Sequence, residues 1–230
     1  NKFLYPKGGS ETYVLELGKL LRNKGHAVEY FGMADERNLA GNRAGALVSS
    51  MDFGRGIRHN PMAPFRLLYS GHARRKLRQV LGDFQPDVIH FNNIYYHLTP
   101  AVILEAAEYR RKSGKDVKII FTAHDYQAVC PNYKMLDGRG RLCEKCGGGN
   151  YLHCIQNRCV HNSRARSILA ATEGFLWRVI PAYRQVDRVI CCSDFLRSKL
   201  ESRQEFRDKC VTIHNFAPEV SKIEVPAGDY

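Results

Sequence analysis

Residues 86–125 read PDVIHFNNIYYHLTPAVILEAAEYRRKSGKDVKIIFTAHD, and the stretch resolves into strand, helix and strand. Pro86 punctuates the chain ahead of an apolar run at 87–91, DVIHF, short enough and β-branched enough to be a buried strand. Pro100 opens a helical segment at 100–112, since its fixed φ suits a first turn, and Gly114 allows the chain to leave it. The run VKIIFT at 117–122 is again largely apolar and reads as a strand. Two such strands joined by a helical crossover must lie parallel and be covered, which is why neither alternates polar with apolar.

The same alternation extends outward in both directions. Upstream, Val14, Leu17, Leu20 and Leu21 recur at helical spacing within 10–24, with Ser10 as the expected N-cap and Gly25 past the end. A strand is expected at 27–31, a loop over 34–60 and a helix over 70–81, with a shortened opening strand at 2–5. Downstream, 163–183 reads as helix apart from Pro181, 187–192 (DRVICC) as strand, 194–201 as helix and 210–214 as strand. The expected fold is therefore α/β, a mostly parallel sheet with helices on both faces. One domain spans 1–217, a cysteine-rich insertion occupies 126–162, and 218–230, with Pro226 and Gly228, reads as a linker leading out of the domain.

Composition narrows the class. Of 230 residues, 44% are hydrophobic and 25% charged, as in an ordinary globular chain and unlike a disordered one. No run approaches the length of a bilayer span, and the chain opens without a basic-then-apolar leader, so the cytoplasm is the expected compartment. The net charge of +12 favours anionic partners: nucleic acid, a membrane surface or phosphate-bearing substrates.

Chemistry collects at the carboxyl ends of the strands, the edge where open parallel sheets bind ligands. His90 and Asn92-Asn93 end one strand, His124-Asp125 the next, Ser193 follows the third and His214-Asn215 the last. Gly8, Gly9 and Ser10 stand just before the first helix, where backbone N–H groups and the helix dipole favour a phosphate. The turn is not GxGxxG and no acidic ribose partner follows, which argues against a dinucleotide site. No Tyr-xxx-Lys pair is present for an epimerase or a related dehydrogenase.

Five of the eight cysteines lie between Cys130 and Cys159. In a reducing compartment they are not a disulfide framework. Cys143-x-x-Cys146 is a metal knuckle, with Cys130, Cys154 and Cys159 available to complete a tetrahedral zinc site and His153 and His161 in reserve. An iron–sulfur cluster and a set of reduced, buried thiols are the alternatives.

In order and spacing, KGGSETYVLELGKLLRNKGHAV, PDVIHFNN, IIFTAHDY, VDRVICCSDFLRSKL and VTIHNF resemble the N-terminal domain of the retaining GT-B glycosyltransferases of family 4, across nearly the whole chain. The resemblance implies a Rossmann-like half of a two-domain enzyme that moves a sugar from a nucleotide-sugar to a glycan or lipid-linked acceptor. It places Gly8 and Gly9 beside the donor diphosphate and acceptor, and His124, with Asp125 beside it, at the reacting centre. Ser10, His90, Asn92, Ser193 and Asn215 are the further donor- or acceptor-binding candidates on this edge. Similar insertions in relatives imply zinc on Cys130, Cys143, Cys146 and Cys159. The donor-gripping second domain is not found after Asn215, so the chain alone is expected to be inactive. Acceptors of this kind imply peripheral contact with anionic membrane, for which Arg74, Arg75, Lys76, Arg78, Arg110, Arg111 and Lys112 are candidates. The rival readings are a zinc-stabilised nucleic-acid module, disfavoured because its cations are dispersed and no aromatic platform is evident, and a non-catalytic binding domain of the same fold.

Overall fold

The structure is a computed structural model that describes residues 1–49 and 63–216, without the side chains of residues 63 and 64. The latter part of the expected 34–60 loop and the expected 218–230 linker lie outside the described residues.

Four strands form one sheet in the order β1-β2-β3-β4, every neighbouring pair parallel: β1 is Val88–Phe91, β2 Lys118–Ala123, β3 Arg188–Cys191 and β4 Cys210–Thr212. Each follows an apolar run read in the sequence. Parallel neighbours need crossovers, and helices supply them. α1 is Gly9–Asn23, α2 Ala63–Leu68, α3 Gly71–Phe84, α4 Ala101–Ser113, α5 Leu152–Gln156, α6 Arg164–Val179 and α7 Asp194–Leu200, with a 3₁₀ turn at Ala182–Gln185. The α/β architecture with a parallel sheet stands as expected.

Local chemistry sets the helix ends. Ser70 caps α3 by accepting from Ala73 N at 3.2 Å, and Ser193 caps α7 by accepting from Leu196 N at 3.2 Å. Gly114 ends α4 in the left-handed region at φ 66. α1 differs from expectation: it begins at Gly9, and its N-cap is Gly8, not Ser10. Gly8 O takes both the backbone N–H and the hydroxyl of Thr12 at 3.1 Å, which starts the helix one turn ahead of the first apolar residue.

The main core lies between sheet and crossover helices. Ile119, Phe121 and Val189 are sealed on the sheet, and Val102, Ile103 and Ala106 of α4 cover them. At the amino edge, Arg110 of α4 pairs with Asp187 at 3.0 Å, and Asp187 accepts Ile119 N at 2.7 Å, fastening helix to sheet. Glu105, 2% exposed, receives Arg74 and Arg78 from α3, so a buried carboxylate joins two helices.

The expected strands at 2–5 and 27–31 are not formed as a ladder, and Leu4 and Tyr5 lie in a bend. Their pairing is sparse: Met33 N donates to Lys2 O at 2.9 Å, Val48 N to Gly32 O at 2.9 Å, and a single parallel bridge joins Met33 to Val48. Around them Leu4, Leu15 and Tyr30 form a separate small core. Gly32 makes the close approach feasible, since a Cβ there would stand 2.6 Å from Asn1 O and 2.9 Å from Leu4 Cγ.

Gly32→Ala should therefore destabilise the fold by about 1–3 kcal/mol through overpacking. Gly82→Ala, where an added Cβ in α3 meets nothing within 4 Å, should be neutral or stabilise by up to ~1 kcal/mol. Urea denaturation of both variants checks the contrast.

Candidate active site at the carboxyl edge of the sheet

β1 and β2 end side by side, with His90 opposite Ile120 and Phe91 opposite Phe121, so the residues that follow them meet. His124 Nε2 lies 2.9 Å from Oδ1 of Asn92, which is itself 4% exposed. With that oxygen facing it, Nε2 carries the proton and Nδ1 keeps its lone pair. Burial holds the His124 imidazole down to about pKa 4, so it is neutral at physiological pH.

The first turn of α1 reaches the same place. Tyr13 packs edge-on against the His124 ring with centroids 5.0 Å apart, and on its other side meets Phe216, beyond β4, at 5.4 Å. The amino end of α1 has no side-chain cap, and a Cβ on Gly9 would meet nothing within 4 Å, so the N–H groups of the first turn are approachable. α1, the His124 turn and the segment after β4 are thus brought together around one tyrosine.

The remaining candidates divide. Asn92 orients His124, while Gly8 and Gly9 are exposed and Ser10 half-buried in the first turn of α1. His90 is turned into the fold: its Nε2 contacts Thr122 Oγ1 at 2.7 Å, and burial lowers it to about pKa 4. The Ser193 hydroxyl is engaged in capping α7, Asn215 is exposed on the segment leading to Phe216, and His214 Nδ1 lies 3.1 Å from Cys192 O.

Asp125 does not orient His124. Its Oδ1 accepts Gln127 N at 2.9 Å in a local turn, and burial raises the carboxyl to about pKa 6. Gln127 in turn donates its side-chain amide to Glu173 of α6 at 3.3 Å. Glu173, 7% exposed, is pushed up to about pKa 7 by burial. Tyr13, Gln127 and Glu173 escaped sequence reasoning. Only Glu173 carried a signal, a lone acid three residues after Ala170 and four before Trp177 on a buried helical face.

The cysteine-rich segment gives the metal expectation no support. Among the described residues, no group of three or more His, Cys, Asp and Glu side chains could hold a metal ion. Zinc on Cys130, Cys143, Cys146 and Cys159 thus finds no support here, and all eight cysteines are free of disulfides. Cys146, Cys154 and Cys159 instead pack with Tyr151 and Ala171 as a small apolar core. Burial pushes the Cys146 thiol up to about pKa 12 and raises Cys130, Cys154 and Cys159, leaving protonated thiols that act as compact hydrophobes. Spacing in CxxC cannot distinguish these outcomes.

If Asn92 governs the imidazole, Asn92→Asp places a carboxylate on Nε2 and should raise the His124 pKa by more than about one unit. NMR titration of the His124 Cε1–H resonance reads this directly; an unchanged titration counts against the pairing.

No curated protein matches the chain, and no helix among the described residues is long and apolar enough to cross a membrane. The Glycosyltransferase Family 4 model matches residues 7–218, which include α1, His124 and every strand, and the chain accordingly belongs to that family of glycosyltransferases.

Proposed function

We propose that the chain is the acceptor-side half of a retaining GT-B enzyme, moving a hexosyl unit from a nucleotide-sugar to a glycan or lipid-linked acceptor in polysaccharide synthesis. The observation that carries this reading is a neutral imidazole, His124, fixed by Asn92 beside the uncapped amino end of α1.

The division of labour follows from the chemistry. A departing nucleoside diphosphate gains negative charge, and the free N–H groups of Gly9 and Ser10 supply donors with a favourable helix dipole. His124 offers Nδ1 to a sugar hydroxyl, holding it by hydrogen bonding without charge. A neutral ring at this position orients the acceptor, and the leaving phosphate takes the acceptor proton. Positioning of this kind supplies a large part of a transfer barrier. The second domain of the enzyme brings the cations and carboxylates that grip the donor, so the isolated chain turns over no substrate.

The cytoplasm remains the proposed compartment. Of the cations expected to meet anionic lipid, Arg74 and Arg78 are engaged by Glu105, Arg110 by Asp187, and Arg111 and Lys112 by Glu108. Only Arg75 and Lys76 of the expected lipid-facing set lie outside these ion pairs.

In the complete enzyme, His124→Ala should lower kcat by about 10²-fold while leaving the thermal midpoint within a few degrees. Assays with a panel of nucleotide-sugars measure it, with the isolated chain as the inactive control; wild-type turnover by the variant would remove His124 from the site.

A further inference from the structure

A carboxylic acid inside a protein needs a reason. Glu173 lies on the face of α6 that carries Ala170 and Trp177 inward, 7% exposed, where an apolar residue would pack at no electrostatic cost. Among the described residues no ion pair compensates it. Among the described residues its hydrogen bond comes from the Gln127 amide at 3.3 Å, and the Gln127 backbone N–H holds Asp125 Oδ1 at 2.9 Å. The acid is thus connected, through a single residue, to the turn that carries His124.

A small cavity of about 20 Å³, lined by Glu173, Gln127, Trp177, Tyr95 and Tyr183 among others, lies under that turn. The groups that face the acid are Tyr95 and Tyr96 beyond β1, Tyr183 of the 3₁₀ turn and Arg203 beyond α7, and Asp125 beyond β2 stands near the same tyrosines. Arg203 is occupied by Ala128 O, Tyr151 and Glu205, leaving the Gln127 amide as the donor to Glu173. Gln127 is thereby joined to both the Asp125 turn and α6.

We propose that Glu173 is a positioning residue for the transferase: its ionised carboxylate holds Gln127, and Gln127 thereby holds the His124–Asp125 turn in its working conformation. The inference rests on the transferase reading above. Burial raises Glu173 from the ordinary carboxylate range to about pKa 7, so the holding bond loses its charge as pH falls through neutrality. The same shift makes the folded chain bind a proton more readily than the unfolded one between about pH 4.5 and 7, so this group's contribution to stability declines as pH rises through that window.

The test uses Glu173→Gln, Glu173→Leu and the reciprocal swap Glu173→Gln with Gln127→Glu, which restores a carboxylate–amide pair of reversed polarity. In this chain, carboxyl ¹³C NMR should show Asp125 titrating at higher pH in both single variants, by about half a unit or more, and returning in the swap. In the complete enzyme kcat should fall about tenfold in Glu173→Gln with KM within about twofold, lose its decline below neutral pH, and recover in the swap. Stability of Glu173→Gln relative to wild type should grow from pH 5 to pH 7. An unmoved Asp125 titration, or a swap as impaired as Glu173→Gln, overturns the proposal. Absence of sugar transfer by the wild-type enzyme would instead sink the transferase reading, and the Asp125 titration would still decide the role of Glu173.

Discussion

The site depends on the hydrogen bond between His124 Nε2 and Asn92 Oδ1, which ties the ends of two adjacent parallel strands together at 2.9 Å. Both groups are withdrawn from water, so leaving either unpaired would cost about 1–3 kcal/mol. The bond sets the tautomer, burial keeps the ring uncharged, and Tyr13 closes on the ring from α1. A parallel sheet makes this possible, because it delivers the residues after each strand to a common edge.

Two kinds of buried titratable group surround that edge and oppose one another. His90 and His124 are depressed to about pKa 4, so acidification through 6.5 to 4 protonates them in the unfolded chain first and lowers stability. Asp125 and Glu173 are raised to about 6 and 7, so their folded forms take protons first over an overlapping window and stability rises with acidification. The linkages offset each other between about pH 4.5 and 6. An edge built this way stays folded while its charge state changes, which suits a site that handles sugar hydroxyls and phosphate.

Much of this was legible in the sequence, for physical reasons that differ by element. The strands at Val88, Lys118, Arg188 and Cys210 announced themselves because each is short and rich in β-branched or aromatic residues, with alternate members such as Ile89, Phe91, Ile119, Phe121 and Val189 sealed in the core. Strand ends then gave His124 and Asn92 by topology alone. The segments at 2–5 and 27–31 were legible as apolar but not as unladdered, since pairing depends on partners remote in sequence. Tyr13 could not be found from a helical pattern that only marks a face. The cysteines were ambiguous in the sequence because a thiol is both a soft metal ligand and a small hydrophobe, and the packing of Cys146, Cys154 and Cys159 with Tyr151 and Ala171 depends on partners that spacing does not show.

The charge and tautomer of His124 are what the account stands on, and imidazole ¹⁵N NMR at pH 7 observes both. A neutral ring with a protonated Nε2 and a bare Nδ1 is the expected result. An imidazolium, or a ring protonated on Nδ1 instead, would contradict the role assigned to Asn92 and with it the site.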